Sequence, residues 1–151
     1  MIFLEIAETF ANLIDAERLK QAAQMTLQHL GTPSESNLTV VLTDDTQMRQ
    51  LNYQYRGIDA PTDVLAFPSD YIDPETQAHY LGDILISVQR AQAQAFVEQH
   101  PLEEELQLLI VHGTLHLLGF DHQTEEATLQ MWQVQGEILR SLGILIENPP
   151  L

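Results

Sequence analysis

Three histidines in one short stretch are the residues most able to do chemistry in this chain. "VHGTLHLLGFDH" spans residues 111–122 and places histidines at 112, 116 and 122. Residues four apart lie one above the other on a helix, about 6 Å apart along its axis, so the first two imidazoles can lean toward a common point. Gly119 is suited to end that helix in a left-handed conformation, which would turn the chain back and bring in the third imidazole. The spacing therefore predicts a metal site.

The donor atoms indicate which metal this site would take. Three neutral imidazoles favour zinc, with nickel or copper as alternatives, and Zn–N bonds measure about 2.0–2.1 Å. Three protein ligands leave a fourth position for water, which is typical of a catalytic site, and bound zinc lowers the pKa of that water to about 7. We expect one Zn²⁺ per chain. The remaining histidines, His29, His79 and His100, occupy a helix end, a loop and a pre-proline position, and we expect them to be structural or surface residues.

Gly113 stands where the zinc-binding helix of a metalloprotease carries glutamate as its general base. The histidine spacing is otherwise shared with the metzincin proteases. Without that glutamate, a peptidase would need another group to take the proton of the attacking water, so the sequence disfavours peptide cleavage. The missing side chain at 113 also predicts open space beside the metal.

The elements that must position these residues alternate along the chain. Apolar alternation and spacing predict strands over 2–7, 37–43, 64–68 and 80–88, and helices over 16–30, 44–56, 89–100, 102–118 and 124–142. Asp15 is the expected N-cap of the first helix, and Thr43 or Asp44 that of the second. Pro68 is expected to stop the third strand, and the polar stretch 69–79 to be irregular. The tail "ENPPL" is expected to fray.

This order predicts an α+β fold in which a small mixed sheet packs with helices, and the metal site lies at the end of a central helix, 102–118. The length of 151 residues predicts a single domain, 1–151. The chain has no cysteine and no apolar run long enough to span a bilayer, and "MIFLEIAETF" does not read as a signal peptide. We therefore expect a cytoplasmic protein without a membrane partner.

The net charge limits how the chain could meet nucleic acid. Six Lys and Arg residues oppose 22 Asp and Glu residues, which gives a net charge of −16. No broad basic face can form, so any binding to a polyanion must depend on a local patch or on a metal.

Three motifs in this order resemble one known family. "HGTLHLLGFDH", preceded by "YRGIDAPTDVLAFP" and "LGDILIS", resembles the YbeY family of bacterial rRNA maturation factors, which are proposed to be metal-dependent endoribonucleases. The resemblance implies a zincin-like α+β fold, zinc on His112, His116 and His122, and single-stranded RNA as substrate, chiefly the 3′ end of small-subunit (16S) rRNA. It also implies small-subunit quality control and contact with the small ribosomal subunit and its proteins. Ala66 replaces the serine usual in the "VLSFP" segment of that family, which removes a hydroxyl near the site.

Phosphodiester cleavage requires stabilisation of charge on the phosphate, and the nucleophile can be either the ribose 2′-OH or a metal-bound water. Arg56 is the candidate to hold a phosphate oxygen, because the family keeps an arginine at this point before the "APTDVLAFP" loop. The alternative is a surface arginine that caps a helix C-terminus. Asp121 is the second catalytic candidate, as an acceptor that orients an imidazole or as an acid/base. A turn-stabilising aspartate is the alternative.

Other residues near these motifs are expected to support the site rather than to take part in the reaction. Asp63 and Asp83 are expected to make structural hydrogen bonds. Arg49 would extend a positive patch beside Arg56. Tyr53 and Tyr55 would either stack unpaired bases or pack in the core.

Two functional classes fit the sequence. The first is a zinc-dependent RNA-processing enzyme. The second is a non-catalytic ribosome-assembly module with a structural metal, which the acidic charge favours because ribosomal proteins are basic. A metal hydrolase acting on another substrate class is a third, minor alternative. Loss of RNA cleavage in a folded His116→Ala variant would favour the enzyme.

Overall fold

The computed structural model describes residues 1–146, and the "ENPPL" tail that was expected to fray lies outside the described residues. The strands are β1 (Ile2–Ile6), β2 (Ser36–Thr43), β3 (Val64–Ile72) and β4 (His79–Ser87). The helices are α1 (Ala16–His29), α2 (Asp45–Arg56), α3 (Val88–Glu98), α4 (Leu102–Leu117) and α5 (Glu125–Ser141), with a 3-10 helix at Glu8–Leu13. No helix within residues 1–146 is both long enough and apolar enough to cross a bilayer.

The four strands form one mixed sheet in the order β1-β2-β4-β3. β1 and β2 pair in parallel, as do β2 and β4, whereas β3 runs antiparallel to β4. The sheet packs with helices, so the predicted α+β class is confirmed. The apolar run "YLGDILISV" also occupies the expected interior position, since β4 has a neighbour on both sides.

Helix α4 is the centre of the molecule. Twelve of its 16 residues are buried, and it contacts α1, α3, α5 and two strands, β3 and β4. Three glutamates, Glu103, Glu104 and Glu105, occupy its first turn, where the helix dipole favours negative charge. Burial on nearly every face holds α4 rigidly, and its C-terminal half carries His112 and His116.

Three helices begin at the residues that the sequence indicates. The side chain of Asp15 accepts a hydrogen bond from the backbone N–H of Arg18, and the side chain of Asp44 does the same for Gln47 at 2.8 Å. Asp44, rather than Thr43, is therefore the N-cap of α2. Thr124 caps α5 in the same way. Each cap satisfies one of the backbone donors that a helix start leaves without a partner.

The prediction that Pro68 ends the third strand is wrong, because β3 continues to Ile72. Proline lacks the N–H that a central strand needs, but β3 is an edge strand, where this loss is tolerated. The pairing with β4 is also irregular between Pro68 and Tyr71. The irregular region therefore shrinks from 69–79 to the turn between β3 and β4. The apolar spacing of the sequence also does not predict the 3-10 helix after β1.

Candidate metal centre

The three predicted ligands converge at the C-terminal end of α4. His112 and His116 lie one turn apart, and their Nε2 atoms are 3.1 Å from each other. One ring nitrogen from each of His112, His116 and His122 lies within 4.8 Å of the other two. Among residues 1–146 these three form the group of His, Cys, Asp or Glu side chains that could hold a metal ion. The predicted convergence is confirmed.

A glycine turn brings His122 back toward the helix. Gly119 has a φ of 99°, in the region that favours glycine. Its N–H bonds to the carbonyl of His116 at 3.1 Å, and the N–H of Phe120 bonds to the carbonyl of Leu115 at 3.0 Å. These two bonds form a Schellman motif, which ends α4 and satisfies carbonyls that the helix leaves free. The predicted left-handed glycine is therefore present and reverses the chain.

The donor geometry fits a small cation. Two nitrogens that bind one tetrahedral zinc at about 2.0–2.1 Å lie about 3.3–3.4 Å apart. The 3.1 Å between the Nε2 atoms of His112 and His116 is close to this spacing. If the two rings moved apart by a few tenths of an ångström, both nitrogens could bind the same zinc ion. All three donors are imidazole nitrogens, a set that suits zinc, copper or nickel and not magnesium or calcium.

Burial decreases across the three ligands. His112 is 2% exposed, and this burial lowers its pKa to about 4. His116 is half-buried, and its pKa is also lowered, first by burial and then by the neighbouring His122. His122 is exposed. Because a lowered pKa keeps an imidazole neutral, His112 and His116 present free lone pairs at neutral pH, as metal binding requires.

The rings of His112 and His116 are each held by a hydrogen bond to a residue outside the ligand set. The Nδ1 of His112 lies 2.9 Å from the side-chain Oε1 of Gln135 on α5, and His116 bonds to the backbone of Phe120. The motif spacing does not reveal Gln135, which is 23 residues from His112. One signal was present, since Gln135 interrupts the apolar face of α5, between the buried Met131 and Ile138.

Open space does lie beside the metal site, since Gly113 lines a cavity there, but the missing side chain at 113 is not what creates it. A Cβ at this position would lie 2.7 Å from Cγ2 of Ile84 on β4, closer than real contacts allow. The position is therefore filled by the sheet, and glycine is needed because α4 approaches β4 closely. A glutamate here, as in the metalloproteases, would require the helix and sheet to separate.

A cavity of about 330 Å³ opens beside the histidines. Its lining comes from the three ligands and Gly113, from Arg56 at the end of α2, and from the start of β3 with the two residues before it: Thr62, Asp63, Val64, Leu65, Ala66 and Pro68. Ala66 thus borders the site, where the family serine would have offered a hydroxyl.

The structure places Arg56 on the cavity wall. It is the last residue of α2, before the left-handed Gly57, and is exposed. Within residues 1–146, Arg18, Arg49 and Arg90 lie within 4 Å of carboxylates, whereas Arg56 forms no such ion pair. The idea that Arg49 extends the positive patch is not supported, since both oxygens of Asp59 bind its guanidinium, at 2.7 and 3.1 Å.

Asp121 supports the turn that carries His122. Its Oδ1 accepts the backbone N–H of Gln123 at 3.2 Å, and the side chain is exposed. Its negative charge also acts to raise the pKa of His116, against the larger effect of burial. In the part of the chain that the structure describes, its hydrogen bond is to the backbone and not to an imidazole.

Asp63 and Asp83 have the structural roles that the sequence indicates. Asp63 accepts the N–H of Val64 at 2.7 Å and the side-chain amide of Gln94 at 3.2 Å. Asp83 accepts the hydroxyl of Tyr80.

The two tyrosines of α2 are not core residues. Tyr53 is 62% exposed and Tyr55 61%, although the ring of Tyr55 packs against Phe67, with centroids 5.1 Å apart. The core alternative for this pair is therefore wrong.

The other three histidines remain outside the metal centre, as expected. His29 pairs with Glu137 at 3.0 Å on the surface. His100 bonds to the buried Glu105, and burial raises the pKa of that carboxyl. His79 begins β4.

Comparison with known proteins decides the family. The family described as "Endoribonuclease YbeY" matches residues 6–143. The chain belongs to the YbeY family. A relative from Roseiflexus sp. (strain RS-1), named Endoribonuclease YbeY, is 40% identical, with 96% of this chain and 94% of the relative covered. A relative of the same name from Heliobacterium modesticaldum is 43% identical over 83% of this chain and 82% of its own.

A solved structure supports the same assignment. The solution structure of TM1509 from Thermotoga maritima aligns with a TM-score of 0.57 and 26% identity, covering 93% of this chain and 91% of that protein. The YbeY fold therefore extends over nearly the whole chain, and the prediction of a nuclease is confirmed by the family.

Proposed function

We propose that the protein is a cytoplasmic, zinc-dependent endoribonuclease that cleaves single-stranded RNA. In this proposal it acts in rRNA processing, at the 3′ end of 16S rRNA, and in small-subunit quality control. One observation carries the proposal: three converging imidazoles and an arginine without a carboxylate partner line the same cavity. The family supports the substrate class, because its curated relatives are named endoribonucleases.

His112, His116 and His122 would hold the zinc. When bound, the metal supplies a Lewis acid that polarises a phosphoryl oxygen. The protein's part is to keep the imidazoles neutral and aligned. Burial in α4 lowers the pKa of His112 and His116 and so keeps them neutral. The hydrogen bonds to Gln135 and Phe120 hold the rings in place, although each acts to raise the pKa of its histidine by less than burial lowers it.

Arg56 would bind the phosphate from the cavity wall. A guanidinium can hold two phosphate oxygens at once, and it is most effective where negative charge grows as the phosphodiester reacts. Because Arg56 has no carboxylate partner within residues 1–146, it need not break an ion pair to do so. The cation and Arg56 together would provide the local positive charge that a chain of net charge −16 otherwise lacks.

Asp121 would assist at the rim of the site. It is exposed and adjoins His122, so its carboxylate could take or return a proton as the chain is cleaved. The attacking oxygen can be distinguished by replacing a single nucleotide of the substrate with its 2′-deoxy form. Cleavage that stops at that nucleotide identifies the ribose 2′-OH as nucleophile, whereas continued cleavage identifies water.

Single-strand preference would come from exposed aromatic rings near the arginine. Tyr53 and Tyr55 precede Arg56 on α2, and both rings are more than half exposed. Unpaired bases can stack on such rings, which a duplex cannot do without opening. The small ribosomal subunit and its proteins would be the docking partners, since basic ribosomal proteins complement the acidic surface.

A ribosome-assembly module with a structural metal is the second candidate, and the net charge of −16 favours it. The two candidates differ in what metal removal does. Chelation of a catalytic metal would stop RNA cleavage and leave a folded chain, because the 25 buried hydrophobic residues that form the core cluster within residues 1–146 include none of the three ligands. Chelation of a structural metal would unfold a protein that had no cleavage activity to lose.

The test compares RNA cleavage by the wild type, Arg56→Ala and Arg49→Ala. We expect Arg56→Ala to lower kcat by about 100- to 1,000-fold, the effect of removing one donor aimed at developing charge. Arg49→Ala serves as the matched control, because that arginine lies on the same helix but is paired with Asp59, and its rate should stay near that of the wild type. Intact RNA after incubation of the pure wild type with Zn²⁺, Cu²⁺ or Ni²⁺ would contradict the nuclease proposal.

A further inference from the structure

A buried amide on the last helix contacts the most buried ligand of the metal centre. Gln135 is 2% exposed, and its Oε1 lies 2.9 Å from Nδ1 of His112. A carbonyl oxygen can only accept a hydrogen bond, so in this arrangement Nδ1 of His112 carries the proton. The other nitrogen, Nε2, is then free of hydrogen and directs its lone pair toward Nε2 of His116, 3.1 Å away.

The position of this glutamine needs a reason, because apolar residues surround it. Met131 and Ile138, one turn before and after Gln135 on α5, are fully buried parts of the core. A buried amide is destabilising unless it is hydrogen-bonded, and a leucine would fill the same space without that penalty. The hydrogen bond to His112 accounts for a polar side chain at this point.

The amide orientation and the capacity to bind metal are linked. If the amide were turned so that its NH₂ faced His112, Nδ1 would become the acceptor and Nε2 would carry the hydrogen. That hydrogen would point at the place where the cation must sit, and His112 could not be a ligand. His116 is held differently, by the backbone of Phe120, so no side-chain substitution can remove its contact.

We infer that Gln135 is a positioning residue of the metal centre, which fixes the tautomer and ring orientation of His112 through the bond from Nδ1 to Oε1. The inference rests on the proposed metal-dependent function, since it concerns how the same three histidines are prepared for the cation. It makes α5 part of the centre, although α5 supplies no ligand.

Zinc affinity is the direct test, measured by competition with a chromophoric chelator at neutral pH. Gln135→Leu keeps the volume and removes the acceptor, and we expect affinity to fall about 10- to 100-fold, as when the partner of a metal-binding histidine is lost. Gln135→Glu keeps an acceptor and should bind zinc at least as tightly as the wild type. Gln133→Leu is the matched control, because Gln133 lies on the exposed face of the same helix, and its affinity should not change.

The tautomer can be observed in the wild type itself, so the inference stays testable if Gln135→Leu fails to fold. In long-range ¹H–¹⁵N spectra of the metal-free protein, His112 should carry its proton on Nδ1. A proton on Nε2, or unchanged zinc affinity in folded Gln135→Leu, would overturn the inference. These readouts do not use RNA, so wild-type protein that binds zinc but leaves RNA intact would refute the nuclease proposal without touching the role of Gln135.

Discussion

The metal centre has a buried side and an exposed side, and the fold holds them by different means. His112 lies within α4, is 2% exposed, and is fixed by Gln135. His122 is exposed and follows a glycine turn, in a segment held by the Schellman bonds and by Asp121. Tertiary packing therefore fixes the ring of His112 in the metal-free fold, whereas the hydrogen bonds of a local turn position His122. Of the two proposed catalytic residues, Arg56 lines the cavity and Asp121 adjoins His122, and both are exposed as His122 is.

Replacing one ligand from each side should cause a similar loss of RNA cleavage but different losses in the free energy of unfolding. We expect His112→Ala and His122→Ala each to lower zinc affinity and RNA cleavage by more than the about 100-fold that loss of an indirect contact causes. Only His112→Ala should also destabilise the metal-free fold, by about 2 kcal/mol, because it leaves a cavity in the packed core. Urea denaturation of both variants checks this. Equal destabilisation of the two would show that the buried side is not the better packed one.

Acid should destabilise the metal-free protein through its buried imidazoles. The pKa of His112 falls from 6.5 to about 4 on folding, so between these pH values the unfolded chain binds the extra proton and stability rises with pH. Lowering the pH from about 7 to about 4 should therefore cost about 3 kcal/mol from this group, and the lowered pKa of His116 acts in the same direction.

The control for the pH dependence is again the exposed side. His122→Asn should retain the loss of stability in acid, whereas His112→Asn should show a shallower dependence of the free energy of unfolding on pH. The interpretation fails if the two variants lose stability in parallel as the pH is lowered.

Alanine at either of the two glycines near the ligands should lower the free energy of unfolding, but for different reasons. Gly113→Ala forces a methyl group against Ile84 on β4, and we expect a loss of about 1–3 kcal/mol from overpacking. Gly119→Ala meets no atom within 4 Å and should cost only about 1–2 kcal/mol, because its φ of 99° is strained for alanine.

A second substitution identifies the cause at Gly113. Ile84→Ala should partly rescue Gly113→Ala, so that the double variant is more stable than the sum of the single losses predicts. Simple additivity, measured by chemical denaturation, would mean that the close approach of α4 to β4 is not what requires glycine.

Asp121→Asn should have the smallest effect on RNA cleavage among the variants of the site. The amide oxygen of asparagine can still accept the N–H of Gln123, but the amide cannot take or return a proton. We expect RNA cleavage to fall by about 100-fold, the lower end of the effect of a general acid or base, with zinc affinity nearly unchanged. A loss of no more than about fivefold would contradict proton transfer and leave Asp121 as a turn-stabilising residue.

The sequence predicts the three ligands of the centre better than their surroundings. The helical spacing of His112 and His116 and the left-handed Gly119 are local patterns, and local physics is enough to bring the three ligands together. Gly113 was misread because its neighbour, Ile84, comes from a strand 29 residues away. A periodic pattern within one helix carries no information about how closely a sheet approaches it.

Tertiary context also explains the error at Pro68. The strand rule for proline depends on whether the N–H side is paired, and only the sheet order reveals that β3 lies at an edge. Gln135 was missed for a similar reason, since its partner is on another helix. A polar residue inside an apolar stripe is the one sequence signal that marks such a position in advance.

Because His112 is completed by a residue of α5, assembly of the centre depends on the order of synthesis. A chain that has been synthesised only through residue 122 already contains every ligand, yet it lacks the glutamine that orients the first of them. Prematurely terminated products should therefore bind the cation poorly. The contact between α4 and α5 would thus restrict a potentially harmful RNA-cleaving activity to chains whose last helix has been made and folded.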